Sequence, residues 1–379
     1  MRIALDSQAF CLQTVGGISR YFSRLAHHLC LSKQDLGNQE VGIFAPLYRN
    51  RYLKDLPQSI IHGYYVRRYP PKMAGAFVRL NQIVASRMIA RWQPDIIHET
   101  YFAKPQQKQF NVPRVLTVFD MISELPGLAH DSLGGVNVRH STKYAAVHQA
   151  DHVICISAQT RNDLVRLFDI AAEKTSVVYL GCEGFSSNTS LTEKKAVTVL
   201  RPYLLYVGLR EGYKNFSGFI EGVASSKRLM EEFDIIAFGG LPFDLAEQSM
   251  HKQLGFKANQ IRHVSGSDAD LISAYRNASA FVYPSKYEGF GLPPLEAMTQ
   301  HCPVIASRVS SIPEVIGDAG EYFDPNHSED IAQTIERVVF SDTRAKELIE
   351  LGVKRVQLFT WDRCAKETLA IYQSLSKAS

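Results

Sequence analysis

Residues Tyr283–Met298 read YPSKYEGFGLPPLEAM and place two carboxylates, Glu288 and Glu296, around a glycine-bearing loop with seven residues between them. Ala280–Tyr283 is apolar and β-prone, like the end of a buried strand. Pro293 and Pro294 suit the first turn of a helix, where a missing N–H costs nothing. The stretch therefore predicts strand, loop, helix start. Free backbone N–H groups and the helix dipole attract an anion at such a start, and Gly289 and Gly291 let it approach the main chain closely. An anion there lies between two carboxylates. That suits a nucleoside diphosphate with hydroxyl-rich ends, phosphates on N–H and hydroxyls on Glu288 and Glu296. Alone, the spacing more often marks an ordinary βα turn with one solvated glutamate and one first-turn helix charge.

Positive charge comes from a second cluster, Gly208-Leu209-Arg210-Glu211-Gly212-Tyr213-Lys214-Asn215, after the predicted strand Tyr203–Val207. Two cations and two glycines just before a helix supply what a diphosphate needs. Solvated charge explains the cluster taken singly, but it falls on the carboxyl edge of the same predicted sheet as Tyr283–Met298. The coincidence favours a site. Gly16 and Gly17 open a helical segment after the strand Arg2–Asp6 without forming G-x-G-x-x-G, so the dinucleotide fingerprint is absent. Backbone there could still touch a phosphate or sugar, and a tight turn explains it equally well. His98, Glu99, Tyr101 and Asp120 follow the short β-type runs Asp95–Ile97 and Arg114–Val118. Ligands gather beyond the carboxyl ends of parallel strands, which makes these four candidates for the substrate side. Each singly is more ordinary as a loop residue or cap.

The elements that must position these residues alternate throughout. Val41–Ala45 is a strand, Lys72–Trp92 an amphipathic basic helix and Val138–Ala150 a helix. His152–Ile156 is a strand, Ser157 caps the helix Ala158–Phe168, and Ser176–Tyr179 is a further strand. Glu183–Lys195 is polar and unperiodic, like a linker. The pattern then restarts with strands Tyr203–Val207, Asp234–Phe238, Ile261–Val264, Ala280–Tyr283, Pro303–Ala306 and Glu321–Phe323. An amphipathic helix, Trp361–Leu375, begun by Thr360 or Asp362, closes the chain. This predicts an α/β protein of two doubly wound, Rossmann-like parallel-sheet domains, 1–185 and 186–360, with a cleft between them as the default site.

Composition bounds the class. With 379 residues, 45% of them apolar, the chain can build two cores. Its six cysteines (Cys11, Cys30, Cys155, Cys182, Cys302, Cys364) show neither zinc nor disulfide spacing, which fits a reducing cytoplasm. The opening MRIALD enters a strand pattern directly, with no apolar leader, and no run of eighteen apolar residues occurs. Net charge is +4, but residues 1–185 carry 21 Lys+Arg against 14 Asp+Glu, and the remainder 21 against 24. Arg49–Arg91 alone holds nine basic residues and one acid, Asp55. Such a stripe is a candidate to meet anionic lipid, against the plainer reading of a solvated face.

VGGISRYF, YVGLREGYKNF, IIAFGG, FVYPSKYEGFGLPPLEAM and PVIASRVSSIPEVIGDAGEYFDP, in that order and spanning nearly the whole chain, resemble the GT-B retaining glycosyltransferases of family four. More narrowly they resemble bacterial mannosyltransferases of cell-surface polysaccharide (O-antigen) synthesis. The resemblance implies two Rossmann-like domains, the nucleotide sugar held by the second, and a final helix 361–379 crossing back onto the first. Lys214 and Arg210 would bind the donor diphosphate, Glu288 the transferred sugar, Glu296 the ribose. Gly289, Phe290, Gly291 and Leu292 would cradle phosphate and sugar, Gly16 and Gly17 would face the donor, and the base would lie against Gly239, Val264 or Ser265. Two departures stand out. Leu209 separates the glycine from Arg210, where many members have arginine directly, and Phe119 precedes Asp120 where many have histidine.

The implied reaction moves a hexose, mannose from GDP-mannose foremost and UDP- or dTDP-sugars behind it, to a saccharide acceptor with retention. Charge building on the departing phosphate calls for preorganised cations. Lys214 and Arg210 meet that demand without a metal, no D-x-D stands at a strand end, and no cofactor beyond the donor is expected. The acceptor would be lipid-linked if the basic stripe meets the inner face of the cytoplasmic membrane. No nucleic-acid partner is expected. A sugar-nucleotide epimerase of the same fold would turn over donor without acceptor, and a two-domain binding protein would bind nucleotide and release none.

Overall fold

A computed structural model describes residues 1–31, 39–70, 72–102, 110–125, 127–128, 136–182, 201–210 and 212–378. The expected linker Glu183–Lys195 lies outside the described residues. The chain divides into two compact units, Met1–Gly181 with Thr360–Ser379, and Cys182–Phe359.

The first unit is a seven-stranded sheet of β1 (Arg2–Leu5), β2 (Glu40–Tyr48), β3 (Ile61–Tyr65), β4 (Ile96–Glu99), β5 (Arg114–Val118), β6 (His152–Cys155) and β7 (Thr175–Val177). The order is β3-β2-β1-β4-β5-β6-β7 and every pairing is parallel. The edge strand β3, IHGYY, has no clean alternation and was not expected. It seats against β2 where the register shifts between Phe44 and Leu47, and a Cβ on Gly63 would stand 1.7 Å from the Ala45 carbonyl oxygen. Only glycine allows that approach.

The second unit has six strands, β8 (Tyr203–Val207), β9 (Asp234–Phe238), β10 (Ile261–Val264), β11 (Ala280–Tyr283), β12 (Val304–Ser307) and β13 (Gly320–Phe323), ordered β10-β9-β8-β11-β12-β13 and all parallel. Helices cover the sheet, so the central strands read as continuous apolar runs, AFVY in β11 being wholly buried. The helix Ser328–Val339 buries Ile331, Ala332, Thr334, Ile335 and Val338, one stripe at helical spacing. Ile331, Ile335 and Val338 join Phe219 and Val223 over Leu204, Ile235, Val282 and Ile305.

The last helix, Trp361–Ala378, belongs to the first unit. Thr360 Oγ accepts the Arg363 N–H (3.1 Å) and is the cap, whereas Asp362 meets His28 Nδ1 at 2.8 Å. All six cysteines are free thiols. No helix among the described residues is long and apolar enough to cross a membrane.

Candidate functional site

Strands β8 and β11 are neighbours although β9 and β10 separate them in sequence, so the order of the second sheet reverses between them. Loops leaving such a reversal diverge and open a crevice at the carboxyl edge. After β8 the chain makes a short 3-10 turn, Gly212–Lys214, and Asn215 takes a left-handed conformation (φ +54°). Asn215 Nδ2 donates to the carbonyls of Pro284 (3.2 Å) and Pro325 (2.9 Å), and the Lys286 N–H donates to the Tyr213 carbonyl at 2.7 Å. These bonds lace the loop after β8 to the loop after β11. Lys214 Nζ and Glu288 Oε1, 74 residues apart, thereby meet at 2.7 Å.

The loop carrying Glu288 is held by serines at the end of β12 and just beyond it. Ser307 Oγ donates to the Ser285 carbonyl. Ser310 Oγ accepts the Glu288 N–H (3.1 Å) and donates to the Glu288 carbonyl, while Ser311 Oγ lies 2.8 Å from that same carbonyl and 3.0 Å from the carbonyl of Phe290. Phe290 is buried edge-on against Phe359. Gly291, at φ +117°, caps the helix Leu292–Thr299, whose first turn contains Pro293 and Pro294 as the sequence predicts. Tyr283 and Tyr206 flank the Glu288 carboxylate. Burial first, and the carboxylate second, push both phenols far above their ordinary range, so they stay neutral donors. Glu296, half-buried on the helix, stands beside the buried Tyr275, whose phenol is raised by burial and then by that carboxylate.

Arg210 departs from its expected role as a second free cation. Its side chain is only 6% exposed, with Nε 2.7 Å and Nη2 3.1 Å from the two Glu247 carboxylate oxygens. Nη2 also donates to the Leu241 carbonyl (2.6 Å) and Nη1 to that of Gly239 (3.4 Å), with the guanidinium 4.5 Å over the Phe243 ring. Every nitrogen is committed. The carboxylate of Glu247 is in turn fixed by a capping box with Asp244, and its pKa is lowered by Arg210 despite burial. Arg210 thus clamps the loop after β9, where Gly239 (φ +87°) and Gly240 (φ +70°) need left-handed backbone. The Gly239 N–H donates to the Val264 carbonyl (2.8 Å), and Ser265 beyond it is exposed.

In the first unit the structure separates the four expected substrate-side residues. Strand β4 runs on through His98 and Glu99, which the sequence reading had placed beyond its end. His98 is fully buried, with Nδ1 2.5 Å from Tyr372 Oη of the last helix and Nε2 2.8 Å from Thr117 Oγ1. Burial lowers its pKa to about 3, so it is a neutral core residue. Glu99 is 7% exposed and ion-paired to Arg114, whose Nε lies 2.9 Å away; burial raises its pKa to about 7 against that attraction. Neither is offered to a ligand. Tyr101 packs on Phe102 (4.9 Å), and Asp120 stays half-exposed with its carboxylate on the Ile122 N–H (3.1 Å). Phe119 turns edge-on to Tyr21 and Phe22. At the start of Gly17–Leu31, Gln13 Oε1 accepts the Ser19 N–H (3.0 Å) and fills the space where Gly16 would carry a Cβ; beside Gly17 that space is open.

The sequence reading missed Ser307, Ser310, Ser311 and Asn215, the residues that hold the loops. For the serines the signal was the run SRVSS, which starts on the last residue of β12.

Residues 15–183 match the Glycosyltransferase Family 4 model and residues 187–355 the Glycosyl transferases group 1 model. The O-antigen chain mannosyltransferase B of Escherichia coli is 26% identical over 95% of this chain and 96% of its own. Among solved structures, sucrose-phosphate synthase of Thermosynechococcus elongatus superposes with a TM-score of 0.75 at 20% identity over the full length of both chains. Anabaena HepE in complex with UDP and glucose superposes with a TM-score of 0.67 at 17% identity over 99% of each.

Proposed function

Because the chain belongs to the glycosyltransferases of GT-B fold that join a Family 4 domain to a group 1 domain, we propose that it transfers mannose from GDP-mannose, with retention, to a lipid-linked saccharide in surface polysaccharide synthesis. The observation that carries the reading is the Lys214–Glu288 pair at the sheet reversal, beside a glycine-opened helix start. Lys214 supplies a fixed cation for the departing diphosphate. Glu288, held in place through its backbone by Ser310 and Ser311, accepts hydroxyls of the transferred sugar. In the free enzyme each holds the other in position. Glu296 takes the ribose hydroxyls, the N–H groups of Gly289–Leu292 take phosphate, and the base lies against Gly239, Val264 and Ser265. Arg210 acts on the donor through the loop it clamps.

With no carboxylate assigned as a nucleophile, acceptor attack comes from the face the phosphate leaves, and that phosphate takes the acceptor proton. Lys214 meets the electrostatic demand, so the reading calls on no metal. Gly16, Gly17, Tyr101 and Asp120 remain the candidates of the first unit. Mannose rests on the Escherichia coli mannosyltransferase. The UDP and glucose held by Anabaena HepE make UDP-glucose the rival donor to assay. The enzyme works from the cytoplasm at the membrane's inner face, where a lipid-linked acceptor is presented.

The test is product analysis with GDP-, UDP- and dTDP-sugars and a synthetic lipid-linked saccharide. The reading expects nucleoside diphosphate release that depends on acceptor and an anomeric configuration that is kept. Turnover of donor without acceptor to an epimer, or inversion, overturns it. Glu288→Ala should depress turnover most, and Glu296→Ala should weaken donor binding first.

A further inference from the structure

The Ala74–Trp92 helix lies over β2 and β3, and between them runs a groove of about 590 Å³. One wall is Leu80, Val84 and Met88, four residues apart along the helix; the other is Leu47, Ile61 and Tyr64. Two polar side chains, Asn81 and His62, also line the groove. Asn81 donates to the Phe77 carbonyl (2.9 Å) and accepts the Leu47 N–H (2.6 Å), and the His62 ring stacks on Phe44 at 4.5 Å. The groove's walls are otherwise apolar, so it suits hydrocarbon.

Its surroundings are apolar and basic together. Tyr64 is 80% exposed, Met73 50%, Leu80 48% and Ile83 42%. The 19-residue helix holds no Asp or Glu, whereas Arg79, Arg87 and Arg91 on it and Arg67, Arg68 and Lys72 before it are all exposed. Arg87 and Arg91, three residues beyond Val84 and Met88, border the groove wall. Exposed apolar side chains beside arginines that have no acidic partner among the described residues match an anionic headgroup layer with hydrocarbon beneath it.

We propose that this face docks on a bilayer of anionic phospholipid and that the groove admits one acyl chain of a bound lipid. Tyr64, Leu80 and Ile83 enter the headgroup boundary while the arginines meet phosphates. The proposal rests on the transferase reading only for its purpose, since a lipid-linked acceptor has to be met at a membrane.

Vesicle co-sedimentation and titration with alkyl phosphates of six to ten carbons test it. The full chain should sediment with phosphatidylcholine vesicles containing phosphatidylglycerol and stay in solution with phosphatidylcholine alone. Alkyl phosphate affinity should rise about fourfold per added methylene. Val84→Trp, which fills the groove, should abolish the chain-length dependence and weaken vesicle binding at least tenfold. Leu80→Asp, at a position exposed enough to spare the fold, should do the same. Chain-length dependence that survives Val84→Trp, or binding indifferent to phosphatidylglycerol, overturns the proposal. Donor turnover with a soluble acceptor is followed separately and should be unchanged in both variants, so loss of the transferase reading is visible apart from loss of this one.

Discussion

Replacing Lys214 by methionine keeps the aliphatic stem and deletes the ammonium 2.7 Å from Glu288. The side chains of Lys214 and Glu288 are 22% and 10% exposed, so the pair is largely but not wholly desolvated. Breaking a fully buried pair from one side costs about 3–5 kcal/mol, because a charge is left without a partner. A fifth of the lysine in solvent and a carboxylate still flanked by two phenols reduce this to about 1–2 kcal/mol. In a domain of this size each kcal/mol moves the melting temperature by about 2–4 °C, so Lys214→Met should melt roughly 2–8 °C lower. Adding Glu288→Gln removes the stranded charge and should recover most of that loss. Turnover should behave differently. One preorganised donor to a departing oxyanion is worth about 10²–10³ in rate, and the double variant should stay at least as slow as the single one. Thermal melts together with nucleoside diphosphate release from GDP-mannose read both quantities. A Lys214→Met enzyme with full turnover refutes the electrostatic role, and a double variant that melts no higher than the single one refutes the buried pair.

Three further perturbations discriminate positioning from chemistry. Ser311→Ala takes a hydroxyl from two carbonyls, but Glu288 keeps Ser310 whereas Phe290 loses its bond. Melting should reflect about 1–2 kcal/mol, with donor KM raised; unchanged melting and kinetics would deny the serines their role. Arg210→Lys cannot reproduce the fork onto Glu247 and the two carbonyls. Donor KM should rise by more than kcat falls, and the opposite split would make Arg210 a catalytic cation after all. His98, at about 3 when folded and near 6.5 when unfolded, binds fewer protons in the native state. Its contribution is present above pH 6.5 and lost as pH falls toward 3, by up to about 1.4 kcal/mol per unit. The melting temperature of His98→Asn, lower at pH 7, should therefore fall less steeply between pH 6 and 4 than that of the parent, and parallel curves would contradict the burial argument.

Local pattern determined what was legible in the sequence. The strands of the second unit are short apolar runs bounded by turn residues, and Ser157, Thr360 and Pro293 act on neighbours within a few positions, so their parts were readable. The edge strand β3 was not, because IHGYY has no period and is placed by backbone contact with Ala45. In the sequence His98 and Glu99 read as polar residues that end a strand, whereas the strand continues through them. Their partners, Tyr372 and Arg114, lie 274 and 15 residues away. A polar residue in a strand is structural or functional according to whether the fold supplies its partner, and local sequence cannot show a partner that distant.

The two cations after β8 make the same point within four residues. Both looked available for a diphosphate, and only the fold distinguishes them. Arg210 meets a bidentate carboxylate, two carbonyls and an aromatic face, which together use its whole fork in a setting where only 6% of the side chain sees solvent. Releasing it would strand Glu247 and open a loop whose glycines already sit at φ +87° and +70°. Lys214 meets the Glu288 carboxylate, lies 5.1 Å over the Tyr213 ring and keeps 22% of its side chain in solvent. The intervening Leu209, which stands between the glycine and the arginine, thus coincides with an arginine given to structure. Moving the arginine back by deleting Leu209 should then cost stability through Glu247 before it gains anything in donor binding, and a deletion variant that melts normally while binding donor more tightly would show that the clamp at Glu247 is dispensable.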